Sequence, residues 1–161
     1  MNIRLAGPLI FDSIVDGPGL RTTIFVQGCK RHCPGCHNPQ TWDETGGILV
    51  DVEDVKAQIS HAKMQTGVTF SGGEPFLQAE PLIEIAKHVK SLGLNLWSFS
   101  GFLLEELQAG TPAQRELLTY LDVLVDGPFV LAKRDLTLRF KGSANQRTLA
   151  LQNGKLVRRI D

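Results

Sequence analysis

No apolar run in this chain approaches the roughly 18 residues that a membrane-spanning helix needs. Charge of one sign is not in excess either. Lys and Arg number 17 and Asp and Glu 17, which removes the electrostatic reason to expect binding to nucleic acid or to a membrane surface. There is no repeat, no low-complexity tract and no linker, so residues 1–161 read as one domain. The segment Met1–Leu5 has no long apolar stretch followed by a small-residue cleavage site, and a soluble cytoplasmic protein is expected. The composition itself is ordinary, with 42% apolar and 21% charged residues, which excludes a disordered chain. A chain of 161 residues can bury roughly 70% of its unfolded surface.

Cysteine is scarce but not scattered. All three lie in Cys29-Lys30-Arg31-His32-Cys33-Pro34-Gly35-Cys36, spaced C-x3-C-x2-C. An odd count argues against a disulfide framework. Pro34 and Gly35 suit the sharp reversal that would let three thiols converge. Three readings stand open on the loop alone. Zinc would take a fourth ligand from His32 or His37. An iron–sulfur cube would take three thiolates and leave one iron free. The third reading is a set of small buried apolar residues.

Strand and helix signals alternate along the chain. Thr22–Val26 is β-branched and short, and it runs into Gly28 and Cys29. Val50–Ala62 reads as a helix with Asp51 as N-cap, followed by a strand at Val68–Phe70 and then Ser71-Gly72-Gly73-Glu74-Pro75. Leu82, Ile85, Ala86, Val89 and Leu92 keep helical spacing before a stop at Gly93. A third strand is expected at Leu94–Phe99. Leu103–Leu121 is helical with a break at Gly110-Thr111-Pro112, and a fourth strand follows at Val123–Val125. This alternation predicts an α/β fold in which helices cover a parallel sheet. At roughly 30 residues per unit the chain holds about five units, an incomplete, open parallel β/α barrel. A C-terminal β-hairpin is expected around Asn153-Gly154. The segments after the strands should meet at one rim, where sites in such sheets lie.

Several of these segments occur together in one known group. C-x3-C-x2-C after a first strand and Gly-Gly-Glu-Pro after a second resemble the radical S-adenosylmethionine enzymes. The resemblance sharpens with Asp16-Gly17-Pro18-Gly19, Cys36-His37-Asn38, Thr41-Trp42, Asp122–Phe129 and Gly142-Ser143-Ala144-Asn145-Gln146. This ordered set, from about Phe11 to Arg147, is similar to the glycyl-radical activating enzymes that serve anaerobic ribonucleoside-triphosphate reductase.

The resemblance implies a [4Fe–4S] cluster on Cys29, Cys33 and Cys36, with its open iron taking the amino and carboxylate groups of S-adenosyl-L-methionine. Gly72 and Gly73 would let backbone approach that cofactor. Glu74 would face its ammonium or sulfonium. Ser100 would line the pocket, and Asp126 would touch the cofactor or a cation. Gly35 replaces the aromatic residue that commonly precedes the third cysteine, so adenine contacts pass to backbone or to neighbours such as His37. The implied chemistry is reductive cleavage to a 5′-deoxyadenosyl radical, which takes hydrogen from a glycine of the reductase and needs no general acid or base. A low-potential donor such as flavodoxin is the implied electron source. Pyruvate formate-lyase as the partner, or a non-enzymatic zinc module, are the alternatives. Trp42 and Trp97 read as packing, His61 and His88 as surface residues.

Overall fold

The computed structural model describes residues 1–161. Nine strands form one mixed sheet: β1 (Asn2–Leu5), β2 (Ile10–Ser13), β3 (Arg21–Val26), β4 (Ile48–Asp51), β5 (Gly67–Gly72), β6 (Asn95–Phe99), β7 (Val123–Asp126), β8 (Arg147–Gln152) and β9 (Lys155–Arg159). The order is β4-β1-β3-β5-β6-β7-β8-β9, with β2 pairing β3. β3, β5, β6 and β7 run parallel in register, Val26 beside Gly72, Phe70 beside Ser98 and Phe99 beside Val125. The other pairings are antiparallel.

The helices are α1 (Val52–His61), α2 (Ala79–Ser91), α3 (Leu104–Gln108) and α4 (Pro112–Leu118). Asp51 caps α1 by accepting a bond from the Glu53 amide at 2.8 Å. Val50 belongs to β4 rather than to this helix, because it pairs with Ile3. The break between α3 and α4 is a capping box at Thr111 and Gln114, with Pro112 in the first turn. At the tail, Asn153 and Gly154 both take positive φ, +54° and +76°, as a type I′ turn requires. The hairpin is not an appendage: β8 pairs with β7 along its length and extends the sheet. β1, β2 and β4 were not legible as strands, being short and, for β2 and β4, mostly exposed.

Strand alternation divides the sheet into two unlike faces. Ile24, Val26, Val68, Phe70, Leu96 and Leu124 enter the 26-residue core with α2 residues Leu82, Ile85, Ala86 and Val89. The opposite face carries Arg21, Thr23, Thr69, Trp97, Val123 and Val125. At one end of this face the buried Arg21 guanidinium donates to Thr69 Oγ1 (2.8 Å) and to the carbonyls of Val68 (2.9 Å) and Pro18 (3.1 Å). It also lies 5.5 Å from the Trp97 ring centroid. Burial lowers its pKa to about 10, against the pull of Asp122 and Asp16, so it stays charged at neutral pH. That plug closes one end. The carboxyl ends of the four parallel strands are at the other.

No helix is long and apolar enough to cross a membrane. Leu82 is fully buried under the sheet. Leu82→Ala is expected to cost about 2–5 kcal/mol in chemical denaturation, through the cavity it leaves.

Candidate metal and cofactor site

The cysteine loop leaves β3 under backbone control. The amides of Gly28 and Cys29 donate to the carbonyls of Thr41 (2.6 Å) and Trp42 (3.1 Å), and the Cys36 amide closes a turn onto the Cys33 carbonyl (3.0 Å). Asn38 donates its amide to Cys36 Sγ at 3.4 Å. Gln27 Nε2 ties the return limb down through the carbonyls of Gln40 and Asp43.

The segment after β5 is stitched to this loop with no side chain between. Gly73 N donates to Val26 O at 2.9 Å and Glu74 N to Gly28 O at 2.8 Å. A Cβ on Gly73 would stand 2.3 Å from Gly28 O, and one on Gly72 (φ +102°) would stand 2.5 Å from Val26 N and O. Both partners are backbone and cannot swing aside.

Glu74 is 2% exposed. Its Oε2 accepts from the Phe76 amide (3.0 Å) and from Ser100 Oγ (2.9 Å), and its Oε1 from the Gly101 amide (2.7 Å). The carboxylate thus ties the end of β6 to the end of β5. Burial pushes its pKa up, while these donors and the nearby Arg31 pull the other way.

These segments enclose a cavity of about 530 Å³. Cys29, Cys33, Cys36, His37, Gly72, Gly73, Glu74 and Ser100 line it together. Its wall also includes Phe25, Ser71 and Phe99, on the sheet face that Arg21 plugs at the far end. Burial raises the Cys29 thiol pKa and the negative charge of Glu74 adds to that rise, while the backbone amides of Arg31 and His32 pull the other way; a bound cation would favour the thiolate further.

Gly35 and Asp126 are not on the cavity wall. Gly35 (φ +74°) faces Leu131, whose Cδ1 would meet its Cβ at 2.6 Å. Asp126 is fully buried, accepts from the Leu104 amide (2.8 Å) and from Arg147 Nε (2.9 Å), and is also bonded by Arg147 Nη2. Arg147 reaches on to Glu105 at 3.0 Å, and these two bonds together drive its pKa upward. A carboxylate neutralised in this way braces β7 against β8 and α3. The Gly142–Gln146 segment is likewise a brace. Gln146 Oε1 accepts from the amides of Gly142 and Ser143, Gln146 Nε2 donates to Gly127 O, and Asn145 donates to Pro128 O.

Sequence reasoning missed Arg31 and Asp16 on the wall, and Trp42 lines it rather than serving only as packing. The Arg31 guanidinium lies 4.6 Å over the Phe102 ring and crowds Gly101, where a Cβ would meet Arg31 Nε at 2.5 Å. Its Nε is buried with no hydrogen-bond partner, and so is Trp42 Nε1. The one available signal for Arg31 was its place between two of the cysteines.

Two unsatisfied donors, three thiols and a side-chain-free glycine cradle on one cavity fit a large polar group better than an empty fold. No group of three His, Cys, Asp or Glu side chains stands ready to hold a single ion, so the fit rests on the donor chemistry and the cavity. Comparison with known proteins agrees on the class. Residues 15–149 match the family described as a 4Fe-4S single cluster domain. The chain is 39% identical over 143 residues to an anaerobic ribonucleoside-triphosphate reductase-activating protein of Pasteurella multocida, covering 83% of this chain and 89% of that one. It is 36% identical over 148 residues to the protein of that name in Escherichia coli K12 (83% and 90%), and 32% identical over 148 residues to that of enterobacteria phage T4 (87% and 90%). The chain belongs to the family of anaerobic ribonucleoside-triphosphate reductase-activating proteins, within the single-cluster 4Fe-4S class.

Gly73→Ala is expected to force the Gly72–Glu74 segment off the cysteine loop, lowering stability by about 2 kcal/mol or more. Gly7→Ala, where a Cβ meets nothing within 4 Å, should stay within about 0.5 kcal/mol of the parent. Thermal denaturation of the two variants side by side tests the contrast.

Proposed function

We propose that this chain is an activating enzyme that uses a [4Fe–4S] cluster and S-adenosyl-L-methionine to install a glycyl radical on anaerobic ribonucleoside-triphosphate reductase. One observation carries the reading: the three thiols and the Gly72–Glu74 segment share one cavity wall, in a chain whose relatives bear that activating name. In this reading the four parallel strands are a section of an open barrel within a single domain. Cytoplasmic conditions keep the three thiols reduced, and a low-potential donor such as flavodoxin supplies the electron.

Cys29, Cys33 and Cys36 would hold three irons of the cluster. When bound, the cluster and S-adenosylmethionine together supply the one-electron cleavage that makes the 5′-deoxyadenosyl radical for hydrogen abstraction. The chain's own residues do the rest by position. Gly72 and Gly73 offer backbone at close range. Arg31, whose guanidinium makes no hydrogen bond within the chain, is placed to receive the carboxylate of the methionyl group, beside the buried acid Glu74. Phe25, Phe99, Phe129 and Phe140 line the rest of the cavity with apolar surface and keep water from the radical. No side chain is assigned as acid or base, because hydrogen-atom abstraction asks for none.

After anaerobic reconstitution the parent chain is expected to carry about four iron and four sulfide and to release deoxyadenosine under reduction. Cys29→Ala should lose both cluster and activation. A Cys29→Ala protein that still activates the reductase at the parental rate would refute the reading. Arg31→Ala should keep its cluster but bind S-adenosylmethionine about tenfold more weakly in equilibrium dialysis, the loss expected for a charged hydrogen bond.

A further inference from the structure

The zero net charge of this chain hides a segregation. Residues 129–161 hold eight of the 17 Lys and Arg but only two of the 17 Asp and Glu, and residues 1–128 carry the matching excess of acids. Three of those eight cations are neutralised within the fold, Lys141 and Arg159 by Asp161 and Arg147 by Asp126 and Glu105. Lys133, Arg134 and Arg139 are not. All three are exposed, and none makes an ion pair or a side-chain hydrogen bond. The Arg139 guanidinium lies only against an aromatic face, 5.0 Å over the Phe140 ring. The one acid among them, Asp135, is occupied locally, its Oδ1 accepting from the amide (2.9 Å) and the hydroxyl (2.6 Å) of Thr137.

The position of these cations matters as much as their sign. Residues 131–141 follow β7 and give Asp135, Leu136, Leu138 and Phe140 to the cavity wall, so each free cation stands within two positions of a wall residue. Leu136 is 81% exposed. Val15, just past β2 at the other end of the run of parallel strands, also lines the wall and is 71% exposed. A small molecule held inside the cavity would leave both apolar side chains in water. A macromolecule seated over the opening would cover them.

We propose that residues 131–141 dock the protein substrate, and that the substrate surface they meet is acidic. The inference rests on the activating reading above and adds to it the face that is used and the chemistry of the partner's face. Unpaired cations of one sign beside an opening draw in an acidic partner and speed its encounter, in a manner that salt screens. Leu136 and Val15 supply the apolar contact that such a seat needs at its centre. A second copy of this chain also offers acidic surface, but seated here it would close the cavity to the target glycine.

The test is the association rate of the reconstituted protein with anaerobic ribonucleoside-triphosphate reductase, followed anaerobically by biolayer interferometry at about 50 and about 300 mM NaCl. Lys133→Glu/Arg134→Glu is compared with Lys155→Glu/Arg158→Glu, which changes the net charge equally through exposed residues of β9 that are off the cavity wall. The parental rate is expected to fall with salt. At low salt the loop variant should associate about tenfold more slowly than the parent, and the β9 variant within about twofold of it. A loop variant that associates at the parental rate overturns the proposal, and so does equal slowing of both variants, which marks net charge alone. A parental dimer in sedimentation that only the loop variant loses overturns it in favour of a second copy. Parental protein that binds no reductase at either salt overturns the activating reading and this inference together.

Discussion

Two backbone hydrogen bonds, Val26 O to Gly73 N and Gly28 O to Glu74 N, decide how closely the end of β5 can lie against the cysteine loop. Neither glycine at 72 or 73 has room for a single added carbon. With the two segments locked at backbone contact, Glu74 is delivered under the end of β6, where Ser100 and Gly101 bind it. Three of the four parallel strands are thereby joined at their carboxyl ends by polar bonds. The thiols, the glycine segment and the β6 end then have no choice but to share one hollow.

The fourth strand is fixed by a different device. Asp126 at the end of β7 spends its carboxylate on Arg147 and on the start of α3. A buried charge left alone there would be costly, and the pairing explains why this acid braces the fold and does not reach the cavity. Gln146 and Asn145 then pin the Gly127–Pro128 turn, so the later loop that completes the cavity wall has a fixed root. At the far end of the same sheet face Arg21 plays the corresponding part, filling the space beside Trp97 with a hydrogen-bonded cation.

Cavity residues and core residues thus obey different rules. The helix-covered face is apolar and close-packed, and its energetics are those of burial. The opposite face is polar at Arg21 and Thr69, aromatic in its middle and open at the cysteine end. Two of the buried donors left without partners, Arg31 Nε and Trp42 Nε1, belong to residues on that open wall.

Much of this was readable from the chain alone. Thiol spacing, the double glycine before Glu74 and the alternation of β-branched runs with helical periodicity are local signals, and local steric preference sets them. The Asn153-Gly154 turn was equally legible, since few residues accept two successive positive φ values. Tertiary structure alone decided the rest. β1, β2 and β4 have no strand periodicity strong enough to announce them and exist because the sheet offers edges to pair with. Arg31 gained its place on the wall, and Asp126 lost its own, through contacts with residues 21 to 71 positions away. Such pairings depend on where distant segments meet, and neither spacing nor propensity records that.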